Sequence, residues 1–135
     1  MTSAQARVLS NLDGGFGAET TILKKGFGNN DLAVLSAATG DEFAMFTTGG
    51  RRLIVRGDAD GVPISTLDGS AQRLADQGWR FSSHVHPDGS LMSSAGDRNV
   101  LSVFSNSKSA VLDPYGGRGL FNSNGDMISS GWLPQ

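Results

Sequence analysis

The chain contains no cysteine. That excludes a disulfide framework, a thiol nucleophile and a thiolate metal site, and it leaves both the cytoplasm and a secreted setting open. Histidine occurs twice and glutamate twice, so chemistry that needs an imidazole or a glutamate base has few residues to draw on. No apolar run approaches the roughly 20 residues a membrane helix requires. The opening MTSAQARVLSNLDGG lacks the apolar core of a signal peptide. Long basic runs are missing as well. With 11 Lys and Arg against 13 Asp and Glu, and no bases interleaved with aromatics, nothing supports nucleic-acid binding. Prolines number four against 19 glycines, so the chain is punctuated by glycine turns between short apolar runs. A length of 135 residues suits one domain with a real core. No internal repeat or low-complexity tract is present.

Residues 3–12 read as a short helix or a mobile lead-in that extends to residue 17, where DGGFG ends it. AETTILKK at 18–25 has the threonine and isoleucine content of a strand. GFGNND at 26–31 reads as loop. Three runs separated by turns follow, LAVLSA at 32–37, EFAMFTT at 42–48 and RLIVRG at 52–57, and they predict an antiparallel meander. DGSAQRLADQ at 68–77 predicts a helix, with Leu67, Ala71, Leu74 and Ala75 on one face and Gly78 suited to its end. WRFSSHVH at 79–86 predicts a strand, with Trp79, Phe81, Ser83 and Val85 on one face and Arg80, Ser82, His84 and His86 on the other. AGDRNVLSVF at 95–104 predicts a second helix. Closing strands at 109–114 and 117–128 follow, with NSNGD as a hairpin turn and SSGWLPQ as a tail in which Trp132 docks on the body. The expected class is α+β: a mixed, largely antiparallel central sheet flanked by helices.

Chemistry concentrates in SSHVHPDGSLMSSAGD, which holds both histidines. Strand alternation puts His84 and His86 on one face, about 7 Å apart along the chain. Two imidazoles so placed can share one small cation, and Pro87 ends the strand just after them. Asp97 stands at the start of the next helix and can turn back as a third ligand. Two His and one Asp with an open position make a catalytic rather than a structural zinc arrangement. A plainer reading uses the same residues. Alternating histidines occur on surfaces by chance, and Ser94-x-x-Asp97 is also a helix-capping signature. Ser94 can cap while Asp97 coordinates, so the two readings are compatible.

His84-x-His86-Pro87, six residues, then Ser94-x-x-Asp97 resembles the signature of the JAMM/MPN (JAB-domain) metallopeptidases, with no gap in the spacing. That family also carries a glutamate upstream on a strand, and Glu42 in EFAMFTTG is the candidate here. Gly49 falls near the family's last glycine, while Met45 replaces its first. Glu19 is the reserve. The resemblance covers about residues 42–104 and implies a JAB/MPN-like, cytidine-deaminase-like fold. It implies one zinc ion bound by His84, His86 and Asp97. Glu42 would be the general base and Ser94 the oxyanion donor, in hydrolysis of a peptide or isopeptide bond within a peptide or protein substrate.

The helix that the family places before the glutamate strand is not expected here, because residues 26–41 read as loop and strand. The closing AVLDPYGGRGLFNSNGDMI is similar to JAB-like domains at the ends of large bacterial polymorphic toxins. That likeness implies a toxin or processing module, cytoplasmic or secreted within a larger chain. Two other function classes stay open: a non-catalytic binding domain on the same fold, and a nuclease-type toxin that uses the histidine pair. The half calcium loop of GDADG, with Asp58 and Asp60, reads as a turn because the glutamate that should follow is missing.

Overall fold

A computed structural model describes residues 1–124 and 126–132. Among them run four helices and seven strands. In chain order these are α1 Ser3–Asn11, β1 Glu19–Leu23, α2 Asn29–Thr39, β2 Phe43–Thr48, β3 Arg51–Arg56, α3 Ser70–Asp76, β4 Arg80–Val85, α4 Ala95–Ser102, β5 Lys108–Leu112, β6 Gly117–Asn122 and β7 Met127–Trp132. The strands form one sheet in the order β1-β3-β2-β4-β5-β6-β7. Only β4 and β5 pair in parallel, and α4 makes the crossover between them. The chain is therefore α+β with a mixed sheet, and no described helix is long and apolar enough to cross a membrane.

Each face of the sheet buries its own core. On one face Phe43, Met45, Ile54, Val85 and Leu112 pack under α1 and α2, which supply Val8, Leu32 and Leu35. On the other, Phe46, Val55, Phe81, Val111 and Phe121 pack under α3 and α4, which supply Leu74, Val100 and Leu101. Strand alternation feeds both cores at once, because every second residue of β2 enters the opposite layer.

Three expectations are corrected. LAVLSA at 32–37 is not a strand but the body of α2, so the meander reduces to the β2–β3 hairpin, with β1 on its outer side. A short apolar run does not by itself distinguish a strand from a buried helix. Here the ends decide. The Asp31 carboxylate accepts the Gly28 N–H at 2.7 Å, and Gly40 closes the helix at φ 74°, a conformation open to glycine. Leu67 does not join the apolar face of α3. It lies before the helix and is 97 % exposed. SSGW does not form a tail, because residues 129–132 belong to β7.

The lead-in forms α1, held by a Thr2–Gln5 capping box, by the Gln5 amide donating to Asp31 at 2.7 Å, and by burial of Val8 and Leu12. Gly125 of the NSNGD turn, residues 133–135 and the docking of the Trp132 side chain lie outside the described residues.

Candidate metal centre

The site is set by register. Ala44 of β2 lies opposite His84 of β4, and Phe43 lies opposite Val85. Glu42 stands one residue before β2 and continues the ladder on its other side. Its N–H donates to the Asp58 carbonyl at 2.7 Å, and its carbonyl accepts the Gly57 N–H at 2.7 Å. Glu42 therefore shares the face of Ala44 and His84. The small Ala44 side chain leaves room between them.

The alternation expected over residues 79–86 holds only at its end. Met45 pairs with Ser83, but Phe46 pairs with Phe81, so Ser82 is an extra residue in β4. This bulge turns Phe81 onto the face of His84 instead of the opposite one. Phe81 stacks on Phe46 at 5.3 Å between centroids and stands 5.4 Å from the His84 ring, with Phe121 at 5.9 Å on another side. His84 is 1 % exposed within this aromatic wall. Bulges that re-aim side chains are common beside functional sites.

His86 lies one residue past β4. Its N–H still donates to the Leu112 carbonyl at 2.8 Å, and the chain then turns, with the Gly89 N–H donating to the His86 carbonyl. The turn carries the Ser90 carbonyl to 3.0 Å from His86 Nδ1. A carbonyl only accepts, so Nδ1 carries a proton and Nε2 faces inward as the free ligand atom. The sequence reading missed this orienting carbonyl, although the turn residues in HPDGS were its signal.

Asp97 is delivered by the start of α4, where a complete capping box forms. Ser94 Oγ accepts the Asp97 N–H at 3.0 Å, and Asp97 Oδ2 accepts the Ser94 N–H at 2.8 Å. The same Oδ2 lies 3.0 Å from His84 Nε2 and 3.4 Å from His86 Nε2, and the two Nε2 atoms are 3.0 Å apart. Asp97 thus caps and converges on the histidines at once. One ligand atom each from Glu42, His84, His86 and Asp97 lies within 4.8 Å of the others. The structure brings together all five expected residues, the fifth being Ser94 through its bonds to Asp97. Glu19 sits on β1, away from the group, opposite Val55.

The donor set suits a divalent ion. Tetrahedral zinc with nitrogen and oxygen ligands near 2.0–2.2 Å requires ligand atoms about 3.3–3.6 Å apart. The three observed separations of 3.0, 3.0 and 3.4 Å are close to that. One proton can bridge only two of the three converging atoms, whereas one cation can engage them all. Electrostatics agree. Burial alone would raise the Asp97 carboxyl, but hydrogen bonds to His84 and His86 carry it well below the usual carboxylate range. Burial works to lower His86, yet the Asp97 bond and the charges of Asp97 and Glu42 raise it. Glu42 is 7 % exposed, and burial raises its carboxyl against the pull of both histidines. No hydrogen bond to that carboxyl is present among the described residues.

A cleft of about 560 Å³ opens over the group. One wall is the loop after β3, the other the loop after β4 and the start of α4. Asp58, at the start of the loop after β3, accepts from the N–H groups of Asp60 and Gly61, the turn that GDADG predicts.

Comparison with family models, with curated proteins and with solved structures gave no match for this chain. The buried Glu, His, His, Asp group that could bind a metal ion therefore stands on its own geometry.

Proposed function

We propose that the protein is a zinc-dependent hydrolase of JAMM type that cleaves a peptide or isopeptide bond. The observation that carries this reading is the convergence of His84 Nε2, His86 Nε2 and Asp97 Oδ2 beneath a cleft that also holds the buried Glu42, whose carboxyl has no hydrogen bond among the described residues. A helix before the glutamate strand and an acid-led helix after the histidine strand, α2 and α4, support the JAB/MPN-like fold. Bound zinc would supply an electrophilic centre that ionises water near neutral pH.

The chain's own groups divide the remaining work. His84, His86 and Asp97 hold the ion. Glu42 is acid-base active because burial raises its carboxyl toward the range where it exchanges a proton readily. It accepts a proton in the cleft and returns it to the leaving amine. Ser94 Oγ accepts the Asp97 N–H, which leaves its own O–H free to donate to the oxygen that gains charge. The aromatic wall of Phe81 and Phe121 fixes the His84 ring and keeps its side of the site dry.

Metal analysis of protein purified without added zinc, with a peptide-library cleavage assay, tests the proposal. The expected result is about one zinc per chain and cleavage that Glu42→Gln lowers by about 10³-fold while zinc is retained. Below about 0.2 zinc per chain, with His84→Ala changing neither metal nor activity, the proposal fails.

A further inference from the structure

The cleft carries one sign of charge. Glu42, Asp60, Asp88 and Asp97 line it, and among the described residues no lysine or arginine does. A bound divalent ion offsets two of these charges, and Asp60 and Asp88 remain as free charges nearer solvent. Asp60 makes no side-chain bond among the described residues, and Asp88 accepts only the Ser90 N–H. Each wall pairs its carboxylate with an exposed apolar side chain. The loop after β3 brings Asp60 and Leu67, and the loop after β4 brings Asp88 and Met92. Leu67 is 97 % and Met92 65 % exposed, so each presents apolar surface to a ligand that enters the cleft.

The cations near this end of the sheet do not line the cleft: Arg56 pairs with Asp41, Arg98 donates to the Ser93 carbonyl, and Arg118 stands opposite Leu112. Others lie further away. Register places Arg51 opposite both Leu23 and Thr48, and Arg80 opposite Thr47. That is the far end of the sheet from Glu42, where Lys24 and Arg80 line a second, smaller depression. The negative charge is therefore local to the cleft lining, and a cleft lined by carboxylates concentrates and orients cationic ligands.

We infer that the cleft selects an extended peptide segment with a lysine or arginine close to the scissile bond and a neighbouring apolar side chain. The basic group lies between Asp60 and Asp88, and the apolar group lies against Leu67 and Met92. This deepens the hydrolase reading and rests on it for the bond cleaved, but the binding preference is a property of the cleft alone.

The test uses zinc-loaded Glu42→Gln protein and two fluorescein-labelled octapeptides, Gly-Lys-Leu-Gly-Gly-Leu-Lys-Gly and the same peptide with glutamate for lysine. Anisotropy at 50 mM salt is expected to show the lysine peptide binding at least tenfold tighter. Adding Asp60→Asn and Asp88→Asn together is expected to shrink that difference to threefold or less. Asparagine at 88 still accepts from Ser90, so the loop keeps its shape. Glu19→Gln, the same charge change away from the cleft, is expected to leave the difference intact. Leu67→Ser with Met92→Ser is expected to weaken both peptides alike. Equal binding of the two peptides, no binding of either, or a difference that survives the aspartate changes overturns the inference. Cleavage by the wild-type zinc protein is scored separately. A lysine peptide that binds with the stated preference but is never cut counts against the hydrolase reading and leaves the cleft preference standing. Cutting without charge preference does the reverse.

Discussion

Asp97 has two jobs that mutation can separate. Its Oδ2 accepts the Ser94 N–H at 2.8 Å, and it also meets the two Nε2 atoms at 3.0 and 3.4 Å. Ser94→Ala removes only the other half of the box, the Asp97 N–H to Ser94 Oγ bond of 3.0 Å. Loss of a cap of this kind costs about 1 kcal/mol. For a domain of this size that lowers Tm by about 4 °C. Zinc at 100 times its Kd stabilises the folded state by about 2.7 kcal/mol, which raises Tm by about 10 °C. The expected pattern from differential scanning fluorimetry with and without zinc is therefore asymmetric. Ser94→Ala melts lower in both conditions but keeps a zinc-induced rise near 10 °C. Asp97→Asn keeps an oxygen for the cap but not the charge, and its zinc-induced rise falls below about 2 °C. A full zinc response in Asp97→Asn, or its loss in Ser94→Ala with the fold intact, would falsify the assignment of Asp97 as ligand and Ser94 as cap.

Three further outcomes follow from the same geometry. In zinc-free protein, Glu42→Gln raises stability at pH 7 by about 1 kcal/mol. Burial raises the folded-state Glu42 carboxyl, so its favourable contribution is present below the unfolded value near 4.3 and is lost as pH rises through the folded one. Urea melts at pH 7 and pH 4 check this, since the gain disappears at the lower pH. Gly57→Ala puts a Cβ against the Gly61 carbonyl beside the backbone that holds Glu42. It costs about 1–3 kcal/mol and lowers hydrolysis more than tenfold, while zinc content stays near one per chain. Phe81→Ala opens the wall beside Phe46, Phe104 and His84 and destabilises by about 3–5 kcal/mol in a chemical melt. A cost below 1 kcal/mol would mean that Phe81 is not packed there.

The fold was legible where local chemistry speaks with one voice. β2 and β3 are joined by two glycines, and α4 follows an S-x-x-D cap, so type and position could be read within a residue or two. It was not legible at LAVLSA, where the residues themselves suit either state. The helix there depends on Asp31 reaching back to Gly28 and on Gly40 taking a left-handed turn. Leu67 was misplaced for a related reason. Spacing alone puts it on the apolar face of α3, but the chain enters that helix through Gly69 at φ 80° and Ser70, and Leu67 is left outside.

The candidate metal group itself could be read as a pattern, because His84, His86 and Asp97 lie within one strand–loop–helix unit whose spacing constrains them. What joins that unit to Glu42 could not. Glu42 stands 42 positions before His84, and only register brings them together, through Ala44 opposite His84 and Phe43 opposite Val85. A one-residue slip of β2 would turn Glu42 to the other face, into the core of Phe43 and Met45. Strand pairing is a non-local property, and its cue here is itself non-local: an aromatic residue on each strand, Phe46 and Phe81, must stack on the same face as His84. That stacking exists only because Ser82 bulges. With Ser82 in regular register, alternation would send Phe81 into the opposite layer and leave the His84 ring without its wall. Deleting Ser82 removes the bulge without moving Phe81, because Phe81 then follows directly on the Met45–Ser83 pair and alternation keeps it opposite Phe46 on the face of His84. A Ser82→Ala protein and a protein lacking residue 82 are therefore both expected to keep the zinc-induced rise in Tm. Loss of that rise on deletion alone would refute Ser82 as the extra residue of the strand.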